Sequence, residues 1–180
     1  DPIGVVCAIT PFNSPLNTVL HKVGPSFAAG NPTVLKPSSL TPVTANIMGE
    51  LLVEAGMPAG FLQIVHGTGS LGEVLLKNQT VAFYTFTGST RVGRIIQSHA
   101  GLRRTQMELG SIASTIVCED ADLSVAVPKI ANAGLRKAGQ VCTSVQRLYV
   151  QDTVYDQVLE ELVKVAKTIV AGDPRNPDTK

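Results

Sequence analysis

Residues 3–36 read IGVVCAITPFNSPLNTVLHKVGPSFAAGNPTVLK, and this stretch determines the fold that we predict. Its first apolar run predicts a buried strand at residues 3–10. A helix is predicted at residues 16–29, because a Gly-Asn pair then stops it. A second, short strand is predicted at residues 33–36. Strand, helix and strand in this order indicate a pair of parallel strands in an α/β fold.

The same alternation continues along the chain. Further strands are predicted at residues 61–66 and 81–86, and further helices at residues 44–55, 71–77 and 90–98. These strands are apolar throughout rather than alternately apolar and polar, which is typical of a parallel sheet covered on both faces. We therefore predict an α/β protein with a doubly wound parallel sheet.

The pattern changes after residue 100. Short strands are predicted at residues 105–109, 112–117 and 147–150, the first two on either side of Gly110, and helices at residues 121–137 and 154–170. Pro128 is an awkward interior residue for the first of these helices. We place the domain boundary after residue 112, so that residues 113–180 begin a second α/β domain.

Composition excludes several classes of function. The hydrophobic fraction is 44% and the charged fraction 16%, which indicates a well-buried globular core. With a net charge of +1 and no basic cluster mixed with aromatics, we expect no nucleic-acid binding. The apolar runs are strand-length and broken by glycine or proline, so we expect no membrane partner. The chain starts at Asp1 and stops in a loop, and we expect an internal piece of a longer protein.

The three cysteines show no paired spacing, which argues against disulfides and for a reducing, cytoplasmic location. Cys7 and Cys118 lie in or at the end of apolar runs and are predicted to be buried, inert thiols. Cys142 differs, because its neighbours are small and polar. Metal binding is not expected, since the three histidines, His21, His66 and His99, do not have the spacing of metal ligands.

Two segments at strand-to-helix junctions could contact a phosphate. Residues 67–72 (GTGSLG) match a dinucleotide-binding pattern, but the acidic residue expected about 20 positions later is missing, and a plain turn explains them equally well. Residues 86–90 (FTGST) offer hydroxyls and backbone N–H groups at a predicted helix start. A helix N-cap is the alternative interpretation of this second segment.

Two charged residues end predicted strands. Lys36 lies at the edge where α/β sheets bind ligands, although an ordinary surface lysine is the alternative. Glu108 ends a strand beside Gly110, which leaves room for a ligand, although a solvated charge is the alternative.

Taken together, five segments in order resemble the aldehyde dehydrogenase superfamily along the whole chain. They are residues 10–16 (TPFNSPL), 35–38 (LKPS), 86–90 (FTGST), 108–110 (ELG) and 139–143 (GQVCT). The resemblance implies that Cys142 attacks an aldehyde to give a thiohemiacetal and then a thioester. It also implies that the Asn13 amide holds the oxyanion and that Glu108 activates water for hydrolysis.

The resemblance further implies NAD as cofactor, bound to a Rossmann-like coenzyme domain at residues 1–112, with the catalytic domain beginning at residue 113. Lys36 would hold the adenosine ribose, Ser89 a pyrophosphate oxygen, and Gly67 would line the adenine. The cofactor-binding residues that it implies are Thr10, Phe12, Lys36, Ser39, Gly67, Gly88, Ser89 and Leu109. Ser39 stands where many NAD-specific members carry a glutamate, so we expect NADP to be used as well.

Substrate and assembly follow less directly from the resemblance. Residues 139–147 (GQVCTSVQR) look like members that oxidise lactaldehyde, glycolaldehyde or phosphonoacetaldehyde, with succinate semialdehyde enzymes next. Ser111 replaces the usual second glycine after Glu108-Leu109, which narrows the space there. We expect the full-length protein to be a homodimer or homotetramer and the isolated piece to be inactive. The alternatives are an enzyme that passes the acyl group to coenzyme A, against which Glu108 argues, and a non-catalytic relative.

Overall fold

The computed structural model describes residues 1–179, and the chain divides into two compact units, Asp1–Gly110 and Ser111–Lys180. In the first unit, five strands form one parallel sheet in the order β3-β2-β1-β4-β5. The strands are β1 Val5–Ile9, β2 Thr33–Lys36, β3 Leu62–Ile64, β4 Val81–Thr87 and β5 Arg104–Glu108. The helices of this unit are α1 Asn17–Ala28, α2 Pro42–Glu54, α3 Gly69–Lys77 and α4 Thr90–Ala100.

The chain starts at the centre of this sheet, builds outward to β3, and then returns to build β4 and β5 on the other side of β1. Its core lies in two layers. Cys7 packs with Tyr84 and Ile96 in the cluster that includes residues of α3 and α4, whereas Ala8 packs with Val19 in the cluster that includes residues of α1 and α2. Consecutive strand residues point to opposite faces, so the predicted doubly wound parallel sheet is confirmed.

Cys7 is confirmed as a buried thiol, with no exposed surface. Burial raises the pKa of this thiol to about 12, and the nearby charge of Lys36 acts in the opposite direction with less effect. The thiolate is the reactive form of cysteine, so Cys7 is inert at neutral pH.

The two strands predicted on either side of Gly110 belong to different units. β5 is an edge strand of the first sheet and pairs with β4, whereas the next strand, β6 (Thr115–Val117), belongs to the second unit. The predicted strands lose their continuous apolar character after residue 100, and the first of them, β5, lies at the edge of the sheet. Its residues alternate between exposed and half-buried, because successive side chains point to opposite faces of the sheet and only the face with Thr105 and Met107 is partly covered.

The second unit contains β6, α5 Leu123–Leu135, β7 Leu148–Val150 and α6 Tyr155–Ala166. β6 and β7 are parallel, and residues of both helices pack with them in one core of Val117, Leu123, Val127 and Val158. Pro128 lies inside α5 without ending it. The predicted continuation of this helix to residue 137 is wrong, because Arg136–Gly139 form a separate turn. No helix within residues 1–179 is long and apolar enough to cross a bilayer.

Cys118 is exposed, so the prediction of a buried thiol is wrong at this position. β6 has only three residues and ends at Val117. Cys118 therefore lies in the turn that follows, where its carbonyl accepts a hydrogen bond from the Ala121 N–H at 3.1 Å.

Candidate active site and cofactor-binding edge

The carboxyl ends of the five parallel strands form one edge of the first sheet, where α/β proteins bind ligands. The residues predicted from sequence in this unit lie at or just after these ends. They are Thr10, Phe12 and Asn13 after β1, Lys36 and Ser39 at and after β2, Gly67 after β3, Gly88 and Ser89 after β4, and Glu108 and Leu109 at and after β5. The parallel topology thus brings all of them to the same edge.

Backbone hydrogen bonds extend the sheet past the last strand residues at this edge. The Thr10 N–H donates to the Lys36 carbonyl at 3.2 Å, and the Gly88 N–H donates to the Glu108 carbonyl at 3.0 Å. Segments that would otherwise be free loops are therefore fixed to their neighbours, as a binding site requires.

Ser89 is the N-cap of α4, since its Oγ accepts a hydrogen bond from the Val92 N–H at 3.3 Å. The N-cap interpretation is confirmed, and the remaining N–H groups of the first turn still favour an anion. Leu109 packs against the same turn, because a Cβ placed on Gly93 would lie 2.6 Å from Leu109 Cδ2. Ser89 and Leu109, both predicted to contact the cofactor, are therefore neighbours in space.

Two glycines of the edge have a packing reason of their own. A Cβ on Gly88 would lie 2.5 Å from the Phe86 ring, and a Cβ on Gly67 would lie 2.8 Å from Leu71 Cβ. Larger residues at either position would displace these side chains whether or not a ligand binds. Packing against α3 thus accounts for Gly67, whereas a Cβ on Gly69 or Gly72 would meet nothing within 4 Å.

Thr10 carries a buried hydroxyl that makes no hydrogen bond with any other described residue. The residue is 5% exposed and follows the central strand β1. An unsatisfied buried hydroxyl costs about 1–3 kcal/mol. A polar ligand at the carboxyl edge that reached this hydroxyl would recover that cost.

Lys22 is a buried cation that the sequence analysis missed. It lies in α1 and is 6% exposed, and its Nζ donates to Thr85 Oγ1 at 3.1 Å and to Gln106 Oε1 at 3.4 Å. Burial lowers the pKa of Lys22 to about 8, and the charge of Glu108 opposes this shift. A single lysine on an amphipathic helix carries no motif, so the chain offered no signal for it.

The buried lysine predicts a pH dependence of stability. From pH 8 to pH 10.5, the ordinary lysine pKa, Lys22 is neutral in the native state but still charged in the unfolded state. The unfolded state then binds more protons, so the free energy of unfolding rises with pH across this window. We expect wild type to gain stability relative to Lys22→Met between pH 8 and 10.5. Chemical unfolding at a series of pH values measures the difference in the free energy of unfolding between wild type and Lys22→Met. The control is Lys77→Met, at an exposed lysine of α3. A constant wild-type-to-variant difference across the window would contradict the shifted pKa.

Cys142 is half-buried and lies in the second unit, between the Arg136–Gly139 turn and β7. In that turn Lys137, Ala138 and Gly139 have φ values of 53°, 55° and 74°. Positive φ is uncommon for residues other than glycine, and such strain concentrates at functional sites. The Cys142 thiol therefore differs from that of Cys7 in both exposure and backbone setting.

Known proteins are similar to this chain in sequence and in fold. The model of the aldehyde dehydrogenase family matches residues 1–180. The 3-sulfolactaldehyde dehydrogenase of Priestia aryabhattai is 50% identical over 179 residues, which are 99% of this chain and 38% of that protein. The NADP(+) succinate-semialdehyde dehydrogenase GabD of Escherichia coli K12 is 43% identical, over 96% of this chain and 36% of that protein.

A crystal structure of a Mycobacterium tuberculosis aldehyde dehydrogenase complexed with NAD+ superimposes with a TM-score of 0.97 at 35% identity, over 100% of this chain and 38% of that chain. The present chain thus spans well under half the length of these relatives. Sequence and fold agree over its whole extent: the chain belongs to the aldehyde dehydrogenase family.

Proposed function

We propose that this chain is the part of a longer enzyme that binds NAD or NADP and carries the nucleophile for oxidation of an aldehyde to a carboxylic acid. The observation that carries the proposal is the half-buried Cys142, which follows the strained turn at Lys137 and Ala138 in a chain of the aldehyde dehydrogenase family. Cys7, with a pKa near 12, cannot serve at neutral pH.

In the proposed reaction the Cys142 thiolate attacks the aldehyde carbon, forming a C–S bond and an oxyanion. The Asn13 side-chain amide and the Cys142 backbone N–H donate hydrogen bonds to this oxyanion. A dinucleotide, when bound at the carboxyl edge, would supply the hydride acceptor for oxidation of the thiohemiacetal to a thioester. Glu108 then takes a proton from water, whose oxygen attacks the thioester carbon, and the C–S bond breaks to release the acid and the free thiolate.

Several features of the carboxyl edge fit a dinucleotide. The first turn of α4 offers N–H groups for a pyrophosphate beside Ser89 and Gly88, and Lys36 at the end of β2 suits a ribose. The buried Thr10 hydroxyl is short of a partner at the same edge. We assign the remaining contacts to Phe12, Ser39, Gly67 and Leu109.

The substrate that we propose is a small polar aldehyde. The names of two relatives, 3-sulfolactaldehyde dehydrogenase and succinate-semialdehyde dehydrogenase, specify aldehydes that carry an anionic group. Lactaldehyde, glycolaldehyde and phosphonoacetaldehyde belong in the same panel on sequence grounds. The full-length protein should reduce NAD or NADP with at least one of these five aldehydes and release the free acid. Formation of an acyl-CoA when coenzyme A is supplied, or no turnover with any aldehyde, would reject the proposal.

We predict that the full-length protein uses both cofactors. Ser39 is exposed just after β2, so no carboxylate at that position repels the 2′-phosphate of NADP. Values of kcat/KM for NAD and NADP should differ by less than about 100-fold, or roughly 2.7 kcal/mol. Ser39→Glu should lower kcat/KM for NADP and spare that for NAD, with Ser38→Ala as the matched control. A preference for NAD stronger than 100-fold in the wild type would contradict the prediction.

A further inference from the structure

We propose that Ser144 is a positioning residue whose buried hydroxyl holds the Cys142 loop in the shape that nucleophilic attack requires. This inference rests on the proposed function, in which Cys142 is the nucleophile. It concerns a side chain that contacts neither the aldehyde nor the cofactor in that proposal and acts only through the loop.

Three hydrogen bonds close the loop around Cys142. Ser144 Oγ donates to the Gly139 carbonyl at 2.9 Å. The Ser144 N–H donates to the Val141 carbonyl at 3.0 Å, and the Val141 N–H donates to the Gly139 carbonyl at 2.9 Å. The residues on both sides of Cys142 are therefore tied to each other and to Gly139, and only one of the three bonds comes from a side chain.

Burial indicates that the Ser144 hydroxyl is present for this bond rather than for solubility. The residue is 2% exposed, among the most buried of the second unit. Burying a hydroxyl is unfavourable unless it is hydrogen-bonded, and alanine would fill nearly the same space without that cost. The hydrogen bond to Gly139 is what serine contributes at this position.

The bond ends where the backbone is strained. Lys137 and Ala138 have φ values of 53° and 55°, and Gly139, which accepts the bond, completes the left-handed turn at 74°. Strained backbone persists only where its surroundings hold it. On the far side of the loop, a Cβ on Gly134 of α5 would lie 3.2 Å from the Val145 carbonyl oxygen, so the loop has a rigid neighbour there. Loss of the Ser144 bond leaves the Gly139 carbonyl with the Val141 N–H alone, so the end of the turn that leads into Cys142 is held less firmly.

The expected effect is on the chemical step. A displacement of about 1 Å at a reacting group can lower the rate about 100-fold. In the full-length protein we expect Ser144→Ala to lower kcat about tenfold while KM for aldehyde and for cofactor stays within about twofold. The rate of Cys142 alkylation by iodoacetamide, followed by peptide mass spectrometry, should fall by a similar factor.

Two further variants separate positioning from loss of stability. Val158→Ala removes two methyl groups from the core of the same unit, away from the loop, so it should lower the unfolding temperature while kcat and alkylation stay unchanged. Ser144→Thr keeps the hydroxyl and should restore most of the wild-type kcat. Wild-type kcat in Ser144→Ala overturns the proposal. A loss of kcat in Ser144→Ala that is no larger than the loss of folded protein also overturns it, because Val158→Ala would then show the same effect. Should Ser144→Ala fail to fold, Ser144→Cys decides, because cysteine is close to serine in size but is only a weak donor. A loss of kcat in the folded Ser144→Cys protein supports the proposal, and wild-type kcat overturns it.

Cys142→Ala, measured in parallel, distinguishes this inference from the proposed function. If that variant keeps its activity, Cys142 is not the nucleophile and the proposed function fails first. If that variant is inactive while Ser144→Ala resembles wild type, only the positioning role of Ser144 fails.

Discussion

Replacement of Cys142 by alanine should lower kcat of the full-length protein by at least about 10⁴-fold, or roughly 5.5 kcal/mol. In the proposed reaction the nucleophile supplies the bond through which the aldehyde is held during oxidation, and no other described group in the second unit's loop can replace a thiolate. The measurement is production of NADH or NADPH at 340 nm with the best aldehyde of the panel. Cofactor binding, followed by quenching of protein fluorescence or by calorimetry, should stay within about threefold of wild type.

Cys118→Ala is the matched control, because Cys118 is an exposed thiol of the same unit. It should keep wild-type kcat and KM, and it should lose only the alkylation that is due to Cys118 itself. If Cys118→Ala were inactive and Cys142→Ala active, the nucleophile would be assigned to the wrong thiol.

The parallel sheet could be predicted because its buried strands are continuous apolar runs, which β1 and β4 show in the sequence. β5 lacks such a run, but the strand predicted at residues 105–109 lies within one residue of Arg104–Glu108. Cys118 was predicted to be buried from the apolar residues before it, but burial stops with β6 at Val117. Local pattern thus identified the elements better than the exposure of the residues at their ends.

Some residues of the candidate site could be identified from the sequence, and others could not. Motif residues such as Asn13, Lys36 and Glu108 could be found because they stand at or just after predicted strands, and parallel strands end at one edge. Lys22 could not be found, since its burial depends on Thr85 and Gln106, which are distant in sequence. The role that we propose for Ser144 was equally hidden, because its hydrogen bond is to a backbone carbonyl and leaves no trace in residue type.

Glu108→Gln should separate oxidation of the aldehyde from hydrolysis of the thioester. Glutamine keeps the size of the side chain but cannot take a proton from water, and loss of a general base costs about 10²–10⁴-fold. We expect steady-state kcat to fall by about 10²-fold or more. Rapid mixing should still show a burst of about one NADH or NADPH per active site, because in the proposed reaction the thioester forms without Glu108 and then persists.

Glu119→Gln, at an exposed acid in the turn after β6, is the matched control and should behave as wild type. The proposed division of labour also predicts that an added small thiol, which attacks a thioester without a base, speeds turnover of Glu108→Gln more than that of wild type. A variant that loses the burst together with turnover would show that Glu108 acts before hydride transfer, as the base that deprotonates Cys142. A variant with wild-type kcat would leave the exposed carboxylate of Glu108 as a solvated charge at the end of β5, with no part in hydrolysis.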